Sequence, residues 1–173
     1  MIDFELIKSD SNLNDSEQEK LFELMQMHQF GNCHSLTVLL SGFGLGDLVI
    51  MKEESSGNEL IHSFVKTKNG LALDAGGLLP INDILERYIT VTTNMSTKDF
   101  KMSNISSKDL VNTIGIDKSD IICAMNFWKL IRKEYGDELK KSLNIDNIGK
   151  IKNPNKIIKS ILGLSFNNKS MKP

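Results

Sequence analysis

Three residues in the first half of the chain have the types and order needed for acyl transfer by a thiol. Cys33 follows Phe30-Gly31-Asn32 and opens the apolar stretch that contains Leu36, Leu39, Leu40 and Phe43. That spacing predicts a helix starting near Cys33. A thiol at a helix N-terminus feels the positive end of the backbone dipole, which favours its thiolate, the nucleophilic form. Such a nucleophile needs a base and a group that orients the base. His62 lies on a predicted strand, 59–67, and Asp74 at the end of the next, 71–75.

Whether His62 and Asp74 can meet depends on the register of this hairpin. A two-residue loop at Asn69-Gly70 would place them on opposite faces and mix Asp74 into the apolar set. A three-residue loop, Lys68-Asn69-Gly70, pairs residues whose numbers sum to 138. It suits a type I turn followed by a left-handed glycine. It sets His62, Phe64, Lys66, Ala72, Asp74 and Gly76 on one face. The other face, Ile61, Ser63, Val65, Thr67, Leu71, Leu73 and Ala75, is then coherently apolar. A slip of one residue would invert both faces, so burial selects the three-residue loop. His62 then stands one diagonal step from Asp74, within side-chain reach.

Around this trio, Gln29, Asn32 and His34 are the candidate binding residues. Asn32 is also placed to cap the helix of Cys33. His34 is expected to face away from whatever Cys33 meets, either exposed or as a local substrate contact. Cys123 falls in the apolar stripe of a later helix and reads as core. His28, Cys33, His34 and His62 include no Cys-x-x-Cys or His-Glu-x-x-His spacing, so no metal or other cofactor is expected. Gly42-Phe43-Gly44-Leu45-Gly46 follows a helix and precedes a strand, the reverse of a dinucleotide fingerprint, and reads as a helix stop.

The elements that must position these residues follow from the same patterns. Asp15-Ser16 offers an N-cap for a helix that ends before Gly31. A strand is expected at 47–52, a turn at 54–58, a short helix at 81–87 behind Pro80, and a strand at 89–92. Residues 93–108 read as a polar loop. A long helix is expected from Lys118 to Leu143, with Ile121, Ile122, Met125, Trp128, Leu130 or Ile131, and Leu139 buried and Gly136 as a point of interruption. Another helix is expected at 154–163, and the tail from Asn167 to Pro173 should fray. The fold class is α+β, with an α+β core over 1–100 and a basic helical extension over 101–173 packed on it.

Composition narrows the function classes. With 173 residues, 40% hydrophobic and 25% charged, the chain can bury a sizeable core, which excludes a disordered or fibrous protein. No apolar run is long enough for a membrane span. The N-terminus has no secretory pattern, and two cysteines give no disulfide framework, so a cytoplasmic protein is expected. Residues 140–173 carry eight lysines and one acid, a net charge of +7, against -8 for the remainder. A basic tail can meet an anionic partner, or form a solvated helix face.

The segments Gly31-Asn32-Cys33-His34-Ser35-Leu36, Ile61-His62-Ser63-Phe64-Val65 and Leu73-Asp74-Ala75-Gly76-Gly77 resemble the papain-like thiol enzymes in the broad sense. That group includes transglutaminase-like and arylamine acetyltransferase-like proteins and small bacterial and phage proteins. The resemblance covers about residues 17–92. It implies a nucleophile-bearing helix packed on a small antiparallel sheet, with Cys33 as nucleophile, His62 as base and Asp74 as its orienting acid. It also implies an oxyanion donor upstream of the cysteine, Gln29 or Gln26, with the Cys33 backbone N–H as the alternative. The expected activity is hydrolysis of an amide bond in a protein or peptide substrate, as a peptidase or glutamine deamidase. A bacterial effector delivered into a host cell, a toxin or a phage counter-defence protein would fit. Acyl transfer to an amine, and a non-enzymatic protein that blocks a partner, are the alternatives.

Overall fold

The structure, a computed structural model, describes residues 1–5, 10–53, 59–91, 100–148 and 153–163. The fold is α+β. Among the described residues, six helices pack around one antiparallel sheet of six strands in the order β1-β5-β4-β3-β2-β6. The strands are β1 (Ile2–Asp3), β2 (Asp47–Glu53), β3 (Glu59–Lys66), β4 (Leu71–Asp74), β5 (Gly77–Pro80) and β6 (Phe100–Asn104). The helices are α1 (Asp15–Phe30), α2 (Cys33–Gly42), α3 (Ile81–Val91), α4 (Ser107–Ile114), α5 (Lys118–Leu143) and α6 (Pro154–Leu162).

The hairpin has the three-residue register: Val65 pairs with Leu73 and Lys66 with Ala72. Gly70 takes the left-handed conformation, φ 78°, that this turn requires. Both faces of the sheet are covered. Val65, Leu73 and Ala75 join the large core formed with α1, α2, α4, α5 and α6. Phe64 and Ala72, on the face that carries Asp74, pack with Val49, Leu79 and Ile84 of α3 in a second, smaller core.

Several expectations are corrected. Residues 89–91 continue α3 instead of forming a strand; Thr92 lies outside the described residues. The expected loop at 93–108 contains β6 and the start of α4, capped by the Ser106 side chain; residues 93–99 lie outside the described residues. β6 is polar and exposed along most of its length; among the described residues it ends the sheet, paired with β2. It also spans the expected boundary at residue 100, and the large core draws on both sides of that boundary. The α1 cap is Asn14, in a reciprocal box with Glu17, one residue before Asp15. Ile122 is 40% exposed, because the buried stripe of α5 runs through Ile121, Ala124, Met125, Trp128, Ile131, Tyr135 and Leu139. Gly136 does not interrupt α5, which continues to Leu143. The expected turn at 54–58 and the tail lie outside the described residues.

Trp128 and Phe127 are fully buried packing residues, and the Trp128 indole N–H donates to the Ile148 carbonyl at 3.0 Å. In α6, Ile158 docks into the core, while Lys156 and Lys159 lie on its exposed side. Among the described residues no helix is long and apolar enough to cross a membrane.

Candidate active site

Three elements converge on the site. α2 begins immediately after α1, because Gly31 stops α1 and Asn32 starts the next helix. The Asn32 side chain makes no cap hydrogen bond, contrary to the expected cap. Its carbonyl is held by two side chains, accepting from His28 Nδ1 at 2.9 Å and from Ser35 Oγ at 2.8 Å. This fixes the start of α2, and with it Cys33.

β4 turns at Asp74 into β5, with Asp74 paired to Gly77, while β3 extends on to Glu59. His62 lies on β3 beyond the last β3–β4 pair, Val65 with Leu73. Here β3 is also irregular: Met51 pairs with His62 but Lys52 with Leu60, which leaves Ile61 as an extra residue. His62 Nε2 contacts Asp74 Oδ2 at 3.0 Å, the diagonal meeting that the register predicts. The other carboxylate oxygen, Oδ1, accepts from the Gly76 N–H at 2.8 Å. Asp74 thus holds both the imidazole and the bend that ends its strand.

The Asp74 contact is made through Nε2, and the His62 side chain also acts on the Cys33 thiol. All three groups are buried: Cys33 is 4%, His62 1% and Asp74 7% exposed. Burial alone would push the Cys33 thiol up. Hydrogen bonds with His34 and His62 outweigh it and bring the thiol down to about 6. Burial alone would pull the His62 imidazole down. The bonds to Asp74 and then Cys33 outweigh that and hold it up at about 9. Between these values the arrangement favours a thiolate beside an imidazolium.

His34 departs from expectation. It is buried, and its Nδ1 lies 3.7 Å from Cys33 Sγ and 2.9 Å from Ser63 Oγ. The reason is that every residue of α2 from Cys33 to Leu40 is buried, so no side of its first turns faces solvent. Ser63 and Thr37 complete this cluster and were not among the candidates. Thr37 stands four residues after Cys33, on the same helix face, and Ser63 adjoins His62; that spacing was the available signal. Gln29 Nε2 donates to Glu5 Oε1 at 2.8 Å, and Gln26 is exposed. Arg87 Nη2 bonds Asp3 Oδ2 at 3.1 Å, and Phe4 N–H donates to the Gly76 carbonyl, so the N-terminal residues brace the Asp74 bend.

Cys123, the other thiol, is partly buried against the core, and burial pushes its pKa up. Among the described residues, no three His, Cys, Asp or Glu side chains are grouped to hold a metal ion. The glycines at 42–46 end α2, with Gly44 at φ 74° and its N–H bonded to the Ser41 carbonyl. Comparison of the chain with protein-family models, with curated proteins and with solved structures finds no match.

Proposed function

We propose that the chain is a papain-like cysteine hydrolase that cleaves an amide bond through a thioacyl-enzyme. The observation that carries this is the convergence of Cys33, His62 and Asp74 from a helix start and two strands, with Asp74 on His62 Nε2 and the His62 side chain acting on the Cys33 thiol. In the first half-reaction the Cys33 thiolate attacks the acyl carbon, and the carbonyl π electrons move to oxygen. The Cys33 backbone N–H is the candidate donor to that oxygen. As the intermediate collapses, His62 gives its Nδ1 proton to the leaving nitrogen and the C–N bond breaks. In the second, neutral His62 takes a proton from water, which attacks the thioester. The C–S bond breaks, and the thiolate–imidazolium pair is restored. Asp74 keeps Nε2–H fixed throughout and offsets the imidazolium charge. A glutamine side chain or a peptide bond meets these requirements equally, and an amine in place of water would give transfer.

The experiment is the pH dependence of Cys33 alkylation by iodoacetamide, in a Cys123→Ser background, beside the same protein with His62→Ala. A rate midpoint at about 6 that is lost in the His62 variant supports the reading. A midpoint near the free-thiol value of about 8.5 in both proteins rejects it.

The burial of Cys33 favours a second reading, a non-enzymatic binding protein that keeps the scaffold. In that case Cys33→Ala leaves biological activity intact while the protein stays folded. Loss of activity in the folded variant rejects it.

A further inference from the structure

We propose that His34 is a positioning residue for the nucleophile: a second imidazole whose Nδ1–H is aimed at the Cys33 sulfur by a relay of two hydroxyl groups. The inference rests on the reading of Cys33 as a thiolate nucleophile and adds a member to that site.

The argument is a count of protons. Thr37 Oγ1 lies 2.9 Å from the Cys33 carbonyl oxygen, 3.0 Å from that of Ser63, and 3.0 Å from Ser63 Oγ. Carbonyls only accept, and Thr37 has one hydroxyl proton, so a bond to either carbonyl uses it. The Ser63 hydroxyl must then donate to Thr37 Oγ1. Its oxygen, 2.9 Å from His34 Nδ1, is left as an acceptor, and Nδ1 must carry the proton. The other two arrangements satisfy the buried cluster less well: Thr37 donating to Ser63 gives nothing to either carbonyl, and Ser63 donating to His34 Nδ1 leaves two hydroxyl oxygens 3.0 Å apart with no proton between them. The tautomer is therefore set by the two hydroxyls. That same N–H edge is 3.7 Å from Cys33 Sγ, so Ser63 and the sulfur share it.

The two imidazoles have different tasks. His62 has a carboxylate on its far nitrogen and can hold and release a proton. His34 has a hydroxyl chain that ends on a backbone carbonyl, with no acid in it, and acts as a fixed dipole. The titratable groups facing the sulfur are then His34 from α2 and His62 from β3, with Asp74 of β4 behind His62.

The test uses the full chain with Cys123→Ser and reads thiolate absorbance at 240 nm against pH. His34→Leu removes the donor; His34→Asn places an amide N–H where Nδ1 stood. The expected result is a midpoint raised by about one pH unit in His34→Leu, a tenfold loss of thiolate on the acid side, with most of it recovered in His34→Asn. An unchanged midpoint in His34→Leu, while His62→Ala raises it, overturns the role of His34 and leaves the nucleophile reading standing. Equal rises in the Leu and Asn variants also overturn it, since they reflect packing. No rise in His62→Ala refutes the underlying reading instead. If the Leu variant fails to fold, nitrogen-15 NMR of the unsubstituted His34 ring decides the matter. An Nδ1–H tautomer at neutral pH is expected, and an Nε2–H tautomer overturns the proposal.

Discussion

Replacing Asp74 with Asn tests how the imidazolium is held, because the structure dictates which way the new amide points. Asp74 Oδ1 accepts from the Gly76 N–H at 2.8 Å, and Oδ2 contacts His62 Nε2 at 3.0 Å. In Asp74→Asn the amide oxygen must stay with the Gly76 donor. The amide NH2 then faces Nε2, and two donors would oppose each other whenever His62 is protonated there. The charge-assisted bond that is lost is worth about 1.5–3 kcal/mol, or roughly one to two pH units for a buried group. The opposed donors add to that loss. The imidazole midpoint should fall from about 9 in the unsubstituted protein to roughly 7 in the variant. The assay is carbon-13 or nitrogen-15 NMR of the His62 ring between pH 5 and 10, with unfolding curves to show that the variant folds. Asp74→Ala, which has no opposing NH2, should fall less. A His62 midpoint that stays near 9 in the Asn variant would refute the claim that the Asp74 carboxylate holds the proton.

Four further outcomes follow from the same structure. In the unsubstituted protein between about pH 6.5 and 9, the folded state holds a proton on His62 and none on Cys33, and the unfolded state the reverse. The proton numbers match, so this pair gives no slope of stability against pH. In Cys33→Ala only His62 remains, raised by Asp74; its contribution is full below pH 6.5 and is lost as pH rises, by up to about 1.4 kcal/mol per pH unit. Urea unfolding at pH 6 and 9 checks this, and equal slopes in both proteins would contradict it. His28 behaves with the opposite sign, because burial lowers its pKa: the stability it contributes is present above 6.5 and lost on acidification. His28→Asn, which keeps a donor for the Asn32 carbonyl, should flatten the decline in Tm between pH 7 and 5. Gly77 has φ 145°, and a Cβ there would run into the Ile2 carbonyl, so Gly77→Ala should cost at least about 2 kcal/mol. Gly115, at φ 76° with open space around it, should cost only about 1 kcal/mol on the same change, read by chemical denaturation.

The parts of the fold that were legible in the sequence are those where one local rule decides. The hairpin register followed from a single apolar face and one Gly turn, and it led directly to the His62–Asp74 contact. α5 followed from a 3.6-residue stripe over 26 residues. What was not legible depends on partners distant in the chain. β1 is two residues long and exists because Ile2 and Asp3 pair with Leu78 and Gly77. β6 pairs with β2 at the end of the sheet and is largely exposed, so no apolar alternation marks it. The site shows the same division. Cys33, His62 and Asp74 are found by type, order and register. His34 is misplaced by a rule for surface helices, since α2 is enclosed by β3 on one side and α5 on another.

The proposed nucleophile is a buried thiol, and its neighbours account for how a charge would be held there. Removing a lone thiolate or a lone imidazolium from water is expensive, and burial by itself moves both groups toward neutrality. The site avoids leaving either charge alone. In the proposed ion pair the imidazolium has the Asp74 carboxylate at Nε2, and that carboxylate takes a backbone N–H on its second oxygen. The thiolate has His34 on its other side, anchored to Ser63. Each charge therefore has an opposite charge or a fixed N–H dipole beside it, and none depends on solvent. A structural cysteine requires none of this, and a small buried hydrophobe would fill the same space at less electrostatic cost. The number of polar groups spent on one sulfur is the strongest argument that Cys33 acts as a thiolate.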